Sequence, residues 1–365
     1  MATLHGHDLH ALDALRLVAS VGVIFYHYSE YITPDLWPSG EAPDLGRFRL
    51  WVDVFFAISG FVLGHVYADQ VGRGFRYGLF LQKRVARLLP LHVVTLGFYV
   101  ALGLLMFVGI KPDSANRFDW SCLVPNLLLV HGWGVCRAVS FNTPSWSISA
   151  EMAMYLLFPL FVMLARPGRG LLLLVLAAVA IALLELWSTY PGAQYWLLRA
   201  SQGGALRAVP SFLFGLALHA RRDWLMRLPV PALAAGLSAA AFLAALFSNI
   251  AYLPLLLIGY CWVASMVALD VQKRTGRLLT MAGRGGELTY SLYMLHMPVA
   301  TVMMTLAKRV LHLGSVATIG WLFVMFAVLW IASSISYRWF EMPARRWLAA
   351  SGRRSKLIPS TGKAS

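Results

Sequence analysis

Charge is what this chain has least of. Only 13% of its 365 residues are Asp, Glu, Lys or Arg, about half the share of an ordinary soluble domain. A soluble protein of this size has too much surface to cover with so few charges, so most of the exterior must face lipid. Three cysteines are too few for a disulfide scaffold. No short period recurs, which excludes fibrous and solenoid repeats. With hydrophobic residues at 59%, disorder is excluded as well. Acidic residues are scarce beside basic ones, 16 against 31, for a net charge of +15. That balance would suit nucleic acid, but the positions of the charges assign it to membrane orientation instead.

Windows of about twenty residues, the length that crosses roughly 30 Å of hydrocarbon, pick out ten candidates. They centre on residues 11–29, 50–68, 91–110, 144–165, 171–188, 207–220, 230–248, 252–269, 287–307 and 317–337. The sixth is short and polar. The apolar stretch Leu123 to His131 is too short to span and reads as re-entrant or interfacial. With the N-terminus in the cytoplasm, 21 of the 31 Lys and Arg fall on inside segments. These include Arg73, Arg84, Arg87, Arg166 and the tail from Arg338. Nine fall outside, Arg49, Lys111, Arg199 and Arg207 among them. The positive-inside rule therefore places both termini in the cytoplasm. The first span lacks Lys or Arg ahead of it and a small-residue cleavage site after it, so it reads as a retained helix and not a signal peptide. The expected fold is all-α and polytopic, with an integral-membrane domain at 9–341 and a short basic tail at 342–365. No pair of Gly/Pro-broken spans recurs in two halves, which counts against a transporter-type repeat.

An ionisable side chain at mid-bilayer costs about 2.5–3.5 kcal/mol. Arg16, Asp53 and Glu151, each inside a span, would together cost on the order of 9 kcal/mol if unpaired. They must face one another, water or a ligand. Arg16 and His27 are eleven residues apart, about 20° short of whole turns, so they share one face of the first helix with a rise near 16 Å. Taken alone, the pair is more simply an arginine snorkelling to the interface and a satisfied histidine. Thr143-Pro144-Ser145-Trp146-Ser147 opens the fourth span with a capping residue and a first-turn proline. Glu151 follows Ser147 by four residues and projects from the same face. In the second span Ser59 and Gly60 are small enough to let helices approach closely. In the ninth, Tyr293 and His296 stand one turn apart beside Pro298. Arg84 and Arg87 share a helical face at the inner membrane surface, suited either to anionic lipid headgroups or to the phosphates of a cytosolic ligand.

Taken in order, Arg16-x10-His27, the Asp53 to Phe61 stretch, Arg84-x-x-Arg87, Ser145-Trp146-Ser147 with Glu151, and Tyr290-Ser291-Leu292-Tyr293 with His296 resemble membrane acyltransferase family 3. The resemblance runs from about Leu9 to Glu341, with Ile148 standing where leucine is commoner. It implies an O-acyltransferase of the bacterial inner membrane. The donor would be an acyl-CoA, most simply acetyl-CoA, and the acceptor a carbohydrate such as an exopolysaccharide or O-antigen. No metal and no nucleic acid are implied, while membrane lipid and a homo-oligomer are compatible with it. It carries His27 and Arg16 over as catalytic and Arg84 and Arg87 as donor-binding residues. Some relatives bear an appended esterase-like domain, and this chain looks like the stand-alone form.

The chemistry agrees with that carry-over. A sugar hydroxyl needs a positioned base to attack a thioester. His27 is the candidate base, with Glu151, or failing it Asp53, to orient its ring. Ser145, Trp146, Ser147, Tyr293 and His296 are candidate supporting residues. A glycan or lipid exporter and a polyprenyl-linked glycosyltransferase are the competing classes, the latter needing a metal-binding pair for which Asp113 and Asp119 are a weak candidate. Cys122 and Cys136 fall in one external segment. A bridge closing that loop would contribute roughly 3 kcal/mol, unless Cys122 is held in the apolar stretch out of reach of its partner. Cys261, inside the eighth span, is expected to be a buried thiol.

Overall fold

The computed structural model describes residues 9–32, 44–70, 74–106, 117–165 and 168–354. Arg73, Lys111, Asp113, Arg166 and the tail beyond Arg354 lie outside the described residues. Every regular element among the described residues is helical. In chain order the long helices are α1 (His10–Ser29), α2 (Trp51–Tyr67), α3 (Tyr77–Leu105), α4 (Trp146–Leu164), α5 (Gly170–Ser188), α6 (Gly204–Ala220), α7 (Pro231–Leu246), α8 (Tyr252–Val271), α9 (Thr289–Thr305), α10 (Ser315–Ser336) and α11 (Met342–Arg354). Seven helical stretches are long and apolar enough to cross a membrane: α1, Leu45–Tyr67, α3, Thr143–Leu164, α5, α8 and Val316–Ala349. The apolar α6 and α7 are shorter, and α9 has 17 residues.

The distribution of side chains is that of a protein solvated by lipid. Leu171, Leu172, Val175, Val179, Leu183 and Leu186 stand exposed along α5, and Phe323, Ile331 and Ile335 along α10. Asp53, Arg207, Ser145, Ser291 and His296 are buried. In lipid the apolar face needs no cover, whereas each polar group must find a partner inside the bundle. Prolines sit within α3 (Pro90), α4 (Pro159), α6 (Pro210) and α9 (Pro298). Helices in membranes tolerate them because neighbours re-satisfy the freed backbone groups.

Pro90 explains one departure from expectation. The third span was expected to begin at residue 91, but α3 starts at Tyr77 and runs through the proline. Arg84 and Arg87 therefore lie within a helix that continues into the bundle. Residues 342–354, expected as tail, form α11, which docks on α3 where Gln82 Nε2 donates to the Leu348 carbonyl at 2.6 Å.

Three contacts set helix directions around the site. The first-turn amides of α1, Ala11 and Leu12, donate to the Asp270 carboxylate at the end of α8, at 2.8 and 3.0 Å. This satisfies amides that a helix start otherwise leaves open and places a negative charge at the positive end of the helix dipole. At the other end of α1, Tyr26 OH accepts from Arg49 Nε just before α2, at 2.9 Å, so α1 and α2 are antiparallel. Gly286 lies against Asp13 and Tyr28 OH donates to the His296 carbonyl at 3.1 Å, so α1 and α9 run side by side in the same direction. The expected close approach at Gly60 is present. Its Cα faces the backbone of Phe212 on α6, and Gly215 on α6 faces the Ala57 carbonyl in return.

The apolar stretch after α3 is the short helix Leu123–Leu127, followed by a turn at His131–Val135. Ser149 of α4 clamps it, accepting from Gly132 N at 2.9 Å and donating to the Leu129 carbonyl at 2.8 Å. Cys122 and Cys136 form a disulfide with Cα atoms 5.9 Å apart. Cys261 is a free thiol but exposed, not buried, because it lines an open apolar cleft between α5, α6 and α8.

Candidate functional site

Between α1, α2, α3, α4 and α9 lies a partly open cavity of about 90 Å³. Its wall on α2 runs from Val52 to Leu63, about 16 Å at helical rise. Arg16, Arg84, Arg87 and Glu151 all line it, with Ser59, Ser147, Tyr155 and Tyr293. The shared face of Ser147 and Glu151 and that of Arg84 and Arg87 thus both open on the same space.

The end of the cavity nearest the start of α1 is basic. Arg16 reaches Asp13 of its own helix, Nη1 to Oδ1 at 2.9 Å. Arg84 donates from Nη2 to Tyr67 OH at 3.1 Å, and its guanidinium lies 5.5 to 5.9 Å from the ring centres of Tyr67, Phe80 and Tyr155. Cation–π contacts hold a guanidinium without neutralising it. Arg84 Nε is buried without a partner. Arg87 is half-buried and has no ion pair or hydrogen bond among the described residues. Three guanidiniums and one carboxylate line the cavity, and with Asp13 pairing Arg16 the basic groups still outnumber the acidic ones by one, which suits an anion with several phosphate oxygens.

Glu151 does not touch His27. Its Oε1 accepts from Ser59 Oγ at 2.8 Å and from Tyr155 OH at 2.5 Å, bracing α4 against α2. Asp53 is engaged elsewhere too. It forms a fully buried pair with Arg207 of α6, with Nη2 to Oδ2 at 2.6 Å and Nε to Oδ1 at 3.2 Å. Arg207, counted from sequence as an outside loop charge, lies within α6 with its side chain 1% exposed. Its remaining donors go to the Arg49 and Arg199 carbonyls at 3.0 and 3.2 Å. The ring of Trp146 covers it at 5.1 Å. The two carboxylates expected to orient an imidazole therefore serve other partners.

At the opposite end of the cavity Ser147 Oγ and Tyr293 OH are 2.7 Å apart, and each also lies 3.1 Å from the Pro144 carbonyl. Ser145 is turned away, its Oγ 3.0 Å from His131 Nε2. Tyr293 lines the cavity on one side and packs against His296 on the other, with ring centres 5.8 Å apart. Beyond it the His296 ring lies 5.2 Å from that of His27. His27 Nδ1 is 3.9 Å from Glu30 Oε2, beyond hydrogen-bond reach. His27 and His296 therefore lie next to the cavity, behind Tyr293, and not on its wall. Arg207, Tyr67, Tyr155 and Asp270 were missed from sequence. Only Arg207 carried a signal, as an arginine inside a candidate span that was short and polar.

Residues 9–337 match the family described as an acyltransferase domain. The chain belongs to membrane acyltransferase family 3. Acyltransferase MdmB of Streptomyces mycarofaciens is 40% identical over 117 residues, covering 32% of this chain and 28% of MdmB. O-acetyltransferase OatA of Staphylococcus aureus is 27% identical over 164 residues, 42% of this chain and 24% of OatA. Protein 2 in picA locus of Rhizobium radiobacter is 29% identical over 182 residues, 47% of this chain and 91% of that protein. The matched stretches thus span about a quarter of MdmB and OatA. No solved structure matches. With its long apolar helices, this family 3 member is a multi-pass membrane protein, all-helical among its described residues.

Proposed function

We propose that this family 3 protein is an O-acyltransferase that moves an acyl group, most simply acetyl, from acyl-CoA on the cytoplasmic side of a bacterial inner membrane to a hydroxyl of a surface or exported carbohydrate. The single observation that carries the reading is the cavity with three arginines at one end and a histidine pair behind its other end. Arg84 and Arg87 receive the donor phosphates, with Arg16 beside them. The long, thin donor lies along the cavity with its thioester towards Tyr293. The name of OatA, an O-acetyltransferase, favours acetyl. On the expected topology of ten spans with both termini cytoplasmic, the arginine end would face the side where acyl-CoA is made and His27 the side where the glycan is exported.

In this reading His27 is the general base. As the acceptor oxygen bonds to the thioester carbonyl carbon, its proton passes to the unprotonated ring nitrogen of His27. The carbon–sulfur bond then breaks and the proton goes to the departing sulfur, giving free CoA thiol and an ester. Glu151 contributes by bracing Ser59 and Tyr155 and by moderating the positive charge around the donor.

A general base is worth about 10² to 10⁴ in rate. His27→Ala should therefore abolish detectable O-acetylation, read by mass spectrometry of surface glycan from matched strains, while membrane levels of the protein stay unchanged. Normal acetylation by a well-expressed His27→Ala protein removes the mechanism.

A further inference from the structure

His296 has a buried lone pair that nothing in the fold uses. Its Nδ1 lies 2.6 Å from the Tyr293 carbonyl oxygen. A carbonyl only accepts, so Nδ1 carries the proton and Nε2 of the neutral ring is an acceptor. That Nε2 is buried without a hydrogen-bond partner, and the residue as a whole is 0% exposed. Buried acceptors are normally satisfied, so one left open next to a titratable group points to a donor that appears at another stage. Of the rings packed on His296, His27 is the nearest at 5.2 Å, ahead of Tyr293 at 5.8 Å and Tyr28 at 6.5 Å. Both phenols are already committed, Tyr28 OH to the His296 carbonyl and Tyr293 OH to the Pro144 carbonyl.

We propose that His296 is the positioning partner of His27, its Nε2 accepting the N–H that His27 gains when it takes the proton of the acceptor hydroxyl. The inference rests on the acyl-transfer reading above. A neutral His27 has one N–H and one lone pair, whereas the imidazolium has two N–H groups to satisfy. Its contact with Glu30 is too long for a hydrogen bond, and the Glu30 side chain is 55% exposed, so the resting ring is not locked in place. Rotation of the His27 ring brings its new N–H to His296. The proton is held there until the departing sulfur takes it through His27. A neutral imidazole suits this depth, where another buried carboxylate would itself need a partner, as Asp53 does.

The test uses the full-length protein in membranes, labelled acetyl-CoA as donor and, as acceptor, host surface polysaccharide stripped of its esters by mild base. His296→Leu keeps the volume but removes the lone pair, and His296→Gln restores an accepting oxygen. We expect His296→Leu to lose roughly ten- to a hundredfold in kcat, the effect of one hydrogen bond to a charged group. The KM for acetyl-CoA should stay within about twofold and His296→Gln should recover several-fold of the loss. In a His27→Ala background, whose residual rate below the mass-spectrometric limit is read with the labelled donor, His296→Leu should cost nothing more, because the two act on one proton. Normal kcat in His296→Leu overturns the proposal. So do equal losses in the Leu and Gln variants that track thermal stability, or losses that add in the double variant. Should His296→Leu fail to fold, the Gln variant alone and in the His27→Ala background decides it. Full activity of His27→Ala removes the acyl-transfer reading itself. An inactive His27→Ala with normal His296 variants removes only this pairing.

Discussion

Arg207 and Arg87 both sit within the helical bundle, one on α6 and one on α3, and the protein surrounds them in opposite ways. Arg207 has a bidentate carboxylate, two backbone carbonyls and a tryptophan face. Arg87 opens on a cavity with no ion pair among the described residues. Burial alone does not separate a charge that holds a fold from one that waits for a ligand; the number of satisfied donors does. A membrane protein that leaves a guanidinium unpaired beside two others accepts an electrostatic cost that water in the cavity or a bound anion must offset.

The largest effect should come from breaking the satisfied side. Asp53→Ala strands Arg207 in the bundle and should cost about 3–5 kcal/mol, the usual penalty for removing one partner of a buried pair. Thermal unfolding in detergent measures it. The double variant Asp53→Leu, Arg207→Met should be more stable than Asp53→Ala, since no charge is left behind. A double variant as unstable as the single would mean that the pair fixes helix geometry and not merely charge. On the open side, Arg87→Ala should leave unfolding nearly unchanged and raise the KM for acetyl-CoA roughly ten- to a hundredfold, the worth of one charge-assisted contact. An unchanged KM with altered lipid dependence would return Arg87 to a headgroup anchor. The smallest change sharpens the border between the two regions. Ser59→Ala removes one of two hydrogen bonds to Glu151 and should cost about 1 kcal/mol of stability, seen as a small fall in unfolding temperature with His27 chemistry intact. A kcat loss comparable with that of His27→Ala would show that Glu151 acts on the reaction directly.

What could be read from the chain was what repeats locally. Apolar windows located the long helices, and helical spacing put Ser147 with Glu151, and Arg84 with Arg87, on shared faces that both line the cavity. Partners across the bundle could not be read that way. Asp53 and Arg207 are 154 positions apart, Ser59 and Glu151 92, and no periodicity links such pairs. Glu151 was assigned to His27 as an ionisable group inside a span, yet lying within the membrane does not fix azimuth around a helix. Cys261 was expected inside for a related reason, since a helix that is apolar all round does not reveal which side meets lipid. Pro90 misled in the other direction, because a proline that ends helices in water is tolerated where neighbouring helices cover the gap. The loop spacing of Cys122 and Cys136 was compatible with a bridge or without one, and the clamp of Ser149 on the Leu129–Gly132 segment, which brings the loop back onto α4, is a long-range contact.

The two glycines at the crossing of α2 and α6 bear on how the cavity opens. Gly60 lies against the Phe212 backbone and Gly215 against that of Ala57, so the main chains meet at two points with no side chains between them to deform. Helices seated in this way resist both sliding and rolling, and they act as one stiff rib. Asp53 and Arg207 tie the same rib together nearer the start of α2. If the proposed donor enters here, room for it must come from the opposite wall, where the Tyr290 hydroxyl joins α9 to the Leu88 carbonyl of α3. A cavity that widened against this rib would do so on the α3 side, which carries Arg84 and Arg87.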